Sequence, residues 1–131
     1  MDNLHGTWAL IETAATDCDG RPLDPPYGGP AALGRVTFGR DGRMVAVICD
    51  GRAEPPAGAP RAYMSYCGRF TYDGETLITR VDAAGDPARL GTDQVRKVHF
   101  EGETMVLTPP AAAYDGVFQQ RVLKWRRIAA E

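Results

Sequence analysis

The stretch GTDQVRKVHFEGETMVLT, residues 91–108, consists of two runs of alternating side chains joined by a turn. Successive side chains of a β-strand point to opposite sides, so every second residue of a run shares a face. One face of the first run consists of Gln94, Arg96, Val98 and Phe100. Between the runs, Gly102 follows Glu101 and supplies the positive φ that a tight hairpin requires. The stretch therefore predicts a β-hairpin with an arginine on the same face as large apolar residues.

The same unit of strand and turn recurs along the chain, and no segment shows sustained helical periodicity. The β-rich runs are Thr7–Thr13, Gly34–Phe38, Arg43–Cys49, Ala62–Tyr72, Thr76–Asp82, Gln94–Glu101, Thr104–Thr108 and Val117–Ile128. Eight short strands separated by turn residues are typical of an all-β barrel or sandwich. Eight is also the number at which a closed antiparallel barrel can hold one small ligand. The pattern predicts an eight-stranded, antiparallel, up-and-down β-barrel.

The connections between the runs alternate in length. Glycine-containing turns of hairpin length occur at RDGR (40–43), YDGE (72–75) and FEGE (100–103). Long connections rich in proline and glycine occur at 16–32, 50–61, 83–92 and 109–116. In an up-and-down barrel the two classes lie at opposite ends, which predicts a closed base and an open mouth. Long loops in a compact domain are often functional.

Length and composition limit the classes of function. The length of 131 residues predicts a single domain, residues 1–131. The net charge of −2 and the sequence pI near 5.7 argue against a nucleic-acid or anionic-membrane partner, since either would favour a basic surface. No apolar run approaches the ~18 residues of a membrane span, and MDNLHGTWAL does not resemble a signal peptide. Three cysteines without C-x-x-C spacing favour a reducing, cytoplasmic location over a disulfide framework, although one bridge from Cys67 to Cys18 or Cys49 stays open.

Ordered motifs along the whole chain resemble a bacterial and fungal family of small lipocalin-like domains. The matching motifs are LHGTWAL (4–10), DG (19–20), PYGGP (26–30), GRM (42–44), YMSYCGRF (63–70), GTDQVR (91–96), EGETMVLTPP (101–110) and LKWRR (123–127). Within this set, GTW at 6–8 resembles the Gly-x-Trp that opens the first strand of lipocalins. The resemblance implies a lipocalin-like barrel and little about chemistry, because fold does not fix function.

Two positions depart from the family pattern. The strand that often carries a histidine in the family reads TLITRVD (76–82) here, with Arg80 near that position. An aromatic residue often precedes the GTxQ motif, where this chain has PARL (87–90). An activity that depends on the histidine would be absent or altered in this protein.

The resemblance also implies a structural pair at the base of the barrel. In lipocalins a guanidinium group from the last strand lies over the indole of the first strand. Arg127 in LKWRR is the better-matched partner for Trp8, and Arg126 is the second choice. Such a cation–π contact contributes about 0.5–2 kcal/mol and closes one end of the barrel.

Alternation assigns a candidate binding site inside the barrel. The polar residues predicted to face inward are Arg96, Gln94, Arg121, Gln119 and Tyr66, and the apolar lining predicted beside them includes Phe38, Met44 and Phe70. The orientation of Arg80 and Asp82 stays open. Leu77, Thr79 and Val81 form the more core-like face of their strand, but Arg80 and Asp82 would face inward if Ile78 did. A pocket that is mostly apolar with a few converging polar groups is typical of small-molecule sites.

Two functions fit these residues, and a structural alternative stands beside both. The first is a calyx that binds an apolar or aromatic molecule through its carboxylate, carbonyl or enolate, with Arg96 and Arg121 at the oxygen. The second is a cofactor-free isomerase, cyclase or lyase, with the arginines as an oxyanion clamp and Tyr66 or Asp82 as acid or base. In the structural alternative Arg96 or Arg121 is paired with an inner Glu12 or Asp82, since a buried guanidinium without a partner is costly.

The sequence carries no further chemical motif. His5 and His99 lack metal-ligand spacing, and Cys67 has no activating base near it in the sequence. No P-loop, dinucleotide glycine motif or G-x-S-x-G is present. We therefore expect no metal and no cofactor. The expected partner is a small-molecule ligand or substrate, and the expected oligomeric state is a monomer or homodimer.

Overall fold

The computed structural model describes residues 3–54, 58, 61–114 and 116–130, and these form an almost entirely β structure. The strands are β1 (Gly6–Thr16), β2 (Pro22–Leu23), β3 (Leu33–Phe38), β4 (Arg43–Cys49), β5 (Tyr63–Tyr72), β6 (Thr76–Ala84), β7 (Asp93–Glu101), β8 (Thr104–Thr108), β9 (Ala112–Tyr114) and β10 (Val117–Ala129). Two short 3₁₀ segments lie in the connections: Pro26–Ala31, here called the mouth turn, and Pro87–Arg89, the rim turn.

Eight of the strands form a closed antiparallel barrel. Their order is β1-β3-β4-β5-β6-β7-β8-β10, and β10 pairs back onto β1. The short strands β2 and β9 extend from β1 and β10 and were not predicted from the sequence. The predicted all-β, eight-stranded barrel is confirmed.

Alternation gives most strands one buried face. In β3 and β4 every second residue is buried, and in β7 the buried Val98 shares its face with Gln94, Arg96 and Phe100 while His99 is exposed. In β1 a bulge between Leu10 and Glu12 shifts the alternation, so Leu10 and Thr13 are both buried. A bulge adds one unpaired residue to a strand and reverses the face of the residues after it.

In β6 the aliphatic residues face inward, and this places two candidate site residues on the outside. Leu77 and Val81 are each only 1% exposed, whereas Arg80 and Asp82 are exposed. Arg80 pairs with Asp93 at 2.9 Å, and Asp82 pairs with Arg43 at 2.8 Å. The inclusion of Arg80 and Asp82 among residues of the cavity is therefore wrong, because burying Leu77 and Val81 leaves only the solvent side for these charges.

The base of the barrel is closed by the predicted tryptophan–arginine pair. The guanidinium carbon of Arg127 lies 4.5 Å from the ring centroid of Trp8, and Arg127 donates a hydrogen bond to the Asn3 carbonyl at 2.5 Å. The buried Trp8 indole donates to the Leu4 carbonyl at 2.9 Å. Arg126 points away from this contact, as the register of β10 against β1 requires.

The described parts of the long connections, residues 17–32, 50–54, 58, 61–62, 85–92, 109–114 and 116, lie at the opposite end, which is the mouth. Residues 55–57, 59, 60 and 115, which belong to two of these predicted loops, lie outside the described residues. All three cysteines are free thiols, and no helix within the described part of the chain has the length and hydropathy of a membrane span.

We predict that Arg127→Leu lowers the free energy of unfolding by about 0.5–2 kcal/mol, because it removes the cation–π contact with Trp8. Urea unfolding measures the change. Arg126→Leu is the matched control, since it removes the same charge from the neighbouring, exposed position and should change stability by less than about 0.5 kcal/mol. Equal losses from the two variants would contradict a specific role of Arg127 at the base.

Candidate functional site

A cavity of about 70 Å³ lies inside the barrel, below the mouth. Its apolar walls come from the inward faces of six strands and consist of Val36, Met44, Ala46, Ile48, Met64, Leu77, Leu107, Leu123 and Trp125. Toward the mouth the lining becomes polar and aromatic and consists of Tyr27, Tyr66, Arg89, Arg96, Tyr114 and Arg121, with Pro26 and Pro109 beside them. The polar groups therefore converge at one end of an apolar chamber.

Three guanidinium groups line the polar end, each from a different element. Arg96 comes from β7, where the burial of Val98 fixes its inward face, and Arg121 comes from β10, where Trp125 does the same. Arg89 comes from the rim turn and was not predicted from the sequence. Alternation could not identify Arg89, since a residue in a short turn follows no periodic pattern.

Neutral amide oxygens hold these arginines. Gln94 Oε1 accepts a hydrogen bond from Arg89 at 2.6 Å and one from Arg96 at 3.2 Å. Gln119 Oε1 accepts from Arg121 Nε at 3.3 Å. Neither glutamine lines the cavity, so each orients arginines from behind.

None of the three guanidinium groups pairs with a carboxylate among the described residues. The structural alternative, in which Arg96 or Arg121 is paired with Glu12 or Asp82, is therefore wrong. Asp82 lies on the outer surface with Arg43, and the bulge in β1 directs Thr13 rather than Glu12 into the interior. The cavity lining of the described chain contains no acidic residue.

Aromatic rings frame the arginines. The guanidinium carbon of Arg121 lies 3.5 Å from the ring centroid of Tyr114, and that of Arg89 lies 5.7 Å from the ring centroid of Tyr66. Burial raises the pKa of Tyr27 above its ordinary value of 10.0, against the opposing effect of nearby Arg121, Arg89 and Arg96. The phenol of Tyr27 is therefore neutral at physiological pH and can donate a hydrogen bond.

The mouth turn fixes Tyr27 over the cavity. Tyr27 has a φ of 57°, which is rare for a residue other than glycine, and Gly28 and Gly29 also have positive φ angles. The Thr13 hydroxyl donates to the Pro26 carbonyl and ties the turn to β1. Sequence reasoning identified PYGGP only as a family motif, because the outward or inward direction of a turn residue has no sequence signal.

An ion pair with a buried carboxylate lies against the mouth turn. Asp50 is only 2% exposed. It accepts hydrogen bonds from the side chain of Arg52 at 3.0 Å from Nε to Oδ1, 3.1 Å from Nε to Oδ2 and 2.5 Å from Nη2 to Oδ2. A Cβ on Gly28 would lie 2.8 Å from Asp50 Oδ1, so the turn rests directly on this pair. The side-chain hydrogen bond from Arg52 lowers the pKa of Asp50 to about 2.

The remaining predicted residues divide into two groups. Tyr66 and Met44 line the cavity, as expected. Phe38 and Phe70 do not; they pack against each other with ring centroids 5.2 Å apart, in the core next to the cavity. Among the described residues, no three histidine, cysteine, aspartate or glutamate side chains are grouped so that they could hold a metal ion.

Comparison with known proteins gives one family and one relative. The model of a family described as a lipocalin-like domain matches residues 5–128. A relative from Aspergillus oryzae, named as a 4'-hydroxy-3'-methoxypropiophenone carrier protein, is 32% identical over 87 residues, which cover 60% of this chain and 78% of the relative. No solved structure matches this chain significantly.

We predict that the contribution of Asp50 to stability depends on pH. Its pKa in the folded protein, about 2, lies below the ordinary value of 3.8, so the ionised carboxylate stabilises the fold above pH 3.8 and this contribution is lost as the pH falls toward 2. Asp50→Asn should therefore lower the melting temperature at pH 6, and its difference from the wild type should shrink across that interval.

The control for this measurement is Asp93→Asn, which breaks an exposed ion pair with Arg80 and should change the melting temperature little. A difference between Asp50→Asn and the wild type that stays constant down to pH 2 would show that the carboxylate charge is not what supports the mouth turn.

Proposed function

The chain belongs to the lipocalin-like domain family, and we propose that it binds and carries a small aromatic molecule whose oxygen-bearing group lies between Arg89, Arg96 and Arg121. A lipocalin-like barrel suggests small-molecule binding, and the carrier name of the Aspergillus relative supports the same class. The barrel would hold the oxygen-bearing group of the ligand at these arginines.

One observation carries this proposal: three guanidinium groups line an apolar cavity whose described lining contains no carboxylate. A guanidinium removed from water loses solvation free energy that only a well-placed acceptor restores. Gln94 and Gln119 supply neutral amide oxygens, which leaves donor capacity on a group with five N–H donors. A carboxylate, enolate, phenolate or carbonyl oxygen of a ligand would complete these hydrogen bonds, in a bidentate manner where geometry allows.

The aromatic character of the ligand follows from the other lining residues. Tyr27, Tyr66 and Tyr114 line the polar end together with the guanidinium groups, and the apolar walls include Trp125 and Met64. An aromatic ring of a ligand packs well against tyrosine and methionine side chains, and these contacts contribute more binding free energy than the burial of apolar area alone. The Aspergillus relative is named for an aromatic ketone, which offers a carbonyl oxygen, a phenol and a methoxy group.

An isomerase, cyclase or lyase is the alternative, and the cavity supports it less. Such an enzyme needs an acid or base within hydrogen-bond reach of the reacting atom. Asp82, the predicted acid or base, lies on the outer surface of the barrel. Apart from the arginines, the titratable groups of the described cavity lining are tyrosine hydroxyls. Recovery of a bound ligand without chemical change distinguishes the carrier from the enzyme.

We predict that Arg96→Leu lowers the affinity for the probe 4'-hydroxy-3'-methoxypropiophenone, hereafter the probe ketone, roughly tenfold or more, because a hydrogen bond to a charged donor is lost. Isothermal titration calorimetry measures the change, with propylbenzene as the oxygen-free comparison compound. The same substitution should not lower the free energy of unfolding of the ligand-free protein, since it removes a half-buried charge that has no carboxylate partner.

Arg80→Leu is the matched control, because Arg80 is 63% exposed on the outer face of the barrel, and this variant should bind the probe ketone as the wild type does. If Arg96→Leu stabilises the protein and leaves the affinity intact, the arginines are not the binding site. If the wild type binds propylbenzene as tightly as the probe ketone, the oxygen is not what the site recognises.

A further inference from the structure

The inner cavity is too small for an aromatic molecule. Its volume is about 70 Å³, whereas an engineered protein cavity that binds benzene has about 150 Å³. A short alkyl or acyl group fits the inner cavity, but a substituted benzene ring does not. The ring of any aromatic ligand must therefore lie elsewhere, in space that adjoins the cavity.

That adjoining space is a crevice of about 220 Å³ at the rim of the barrel. Tyr63 and Ser65 of β5, and Gly85 and Asp86 of the connection before the rim turn, form its outer walls. Tyr27, Met64 and Arg89 line both the crevice and the inner cavity, so these three side chains form the partition between them. Together the two spaces approach the lower end of the range for ligand pockets, about 300 Å³.

The partition contains two held side chains and one movable side chain. Tyr27 is held by the mouth turn, which lies against the ion pair of Asp50. Arg89 is held by its hydrogen bond to Gln94 Oε1 at 2.6 Å, whereas Met64 is flexible and unbranched. Rotation of Met64 would join the two spaces without any movement of the barrel.

We propose that the crevice is the outer half of the binding site and that the ligand is a hydroxylated aryl ketone or a compound of the same layout. This inference rests on the proposed function. The short alkyl chain occupies the inner cavity, and the carbonyl oxygen lies between the guanidinium groups of Arg89 and Arg96, which share Gln94 Oε1 as an acceptor. The ring lies in the crevice beside Tyr27 and Tyr63. The ring hydroxyl donates a hydrogen bond to the carboxylate of Asp86 and accepts one from the hydroxyl of Ser65, whose oxygen already accepts from Tyr63 at 2.9 Å.

The order of groups follows from the order of chemistry along the two spaces. The inner cavity is apolar at its closed end, the guanidinium groups lie in the middle, and Asp86 brings a carboxylate only at the outer end. A ligand with the reverse orientation would place its ring in the smaller space and its alkyl chain beside Asp86.

Filling the crevice tests the inference. Ser65→Phe places a ring in the crevice and should weaken binding of the probe ketone at least tenfold, as measured by calorimetry. Thr71→Phe is the matched control, because Thr71 is exposed on the same face of the same strand and lies away from the crevice, and its affinity should equal that of the wild type. Unchanged affinity in a folded Ser65→Phe variant overturns the inference and leaves the proposed function intact.

A second measurement uses the wild-type protein and does not depend on a variant that folds. In a titration followed by ¹H–¹⁵N NMR, the amides of Ser65, Gly85 and Asp86 should shift together with those of Gln94 and Arg96. Shifts confined to Gln94, Arg96 and their neighbours place the whole ligand in the inner cavity and overturn the inference. If neither the probe ketone nor other aryl ketones bind the wild type, the inference is overturned, whereas the proposed function fails only if aromatic carboxylates and phenols do not bind either.

Discussion

The pairing of β1 with β10 is the constraint on which the rest of the structure depends. This pairing closes the sheet into a barrel, so that every inward side chain either fills the core or lines the cavity. The contact of Trp8 with Arg127 seals the lower end, and the burial of Trp125 on the neighbouring strand fixes the register of β10. Because side chains alternate, that register also directs Arg121, four residues earlier, into the cavity.

The lining at the mouth combines positively charged and aromatic side chains. Three guanidinium groups meet there. The described lining offers them tyrosine rings but no carboxylate, and glutamine amide oxygens hold them from behind the lining. The acidic partners that the protein does use are placed outside the cavity, where Asp50 supports the mouth turn and Asp82 neutralises Arg43. Because these carboxylates lie outside the cavity, they do not neutralise the arginines inside it. The positive potential of the cavity would therefore act on a ligand.

Much of the barrel could be predicted from the sequence, because strand alternation and glycine turns are local signals. The hairpin at residues 91–108 and the inward faces of Arg96 and Arg121 followed from alternation alone. The β6 strand was ambiguous, since Ile78 on one face and Leu77 on the other gave both faces an aliphatic residue. The structure resolves this through the nearly complete burial of Leu77.

The mouth could be predicted only in part. Tyr27 and Arg89 belong to short turns, where the direction of a side chain depends on positive φ angles and on contacts with distant residues. The support of the mouth turn by Asp50 joins residues more than twenty positions apart, and no local pattern indicates such a contact. Closed strands are thus easier to predict than the loops that complete a site.

The three arginines of the mouth come from separate parts of the chain. Arg89, Arg96 and Arg121 converge only when β7, β10 and the rim turn occupy their final positions, so an unfolded chain has no comparable affinity. A ligand that binds only the native state stabilises that state by mass action. A molecule bound at these arginines would therefore raise the melting temperature of the protein, and that rise would reveal it in a screen of compounds tested one at a time.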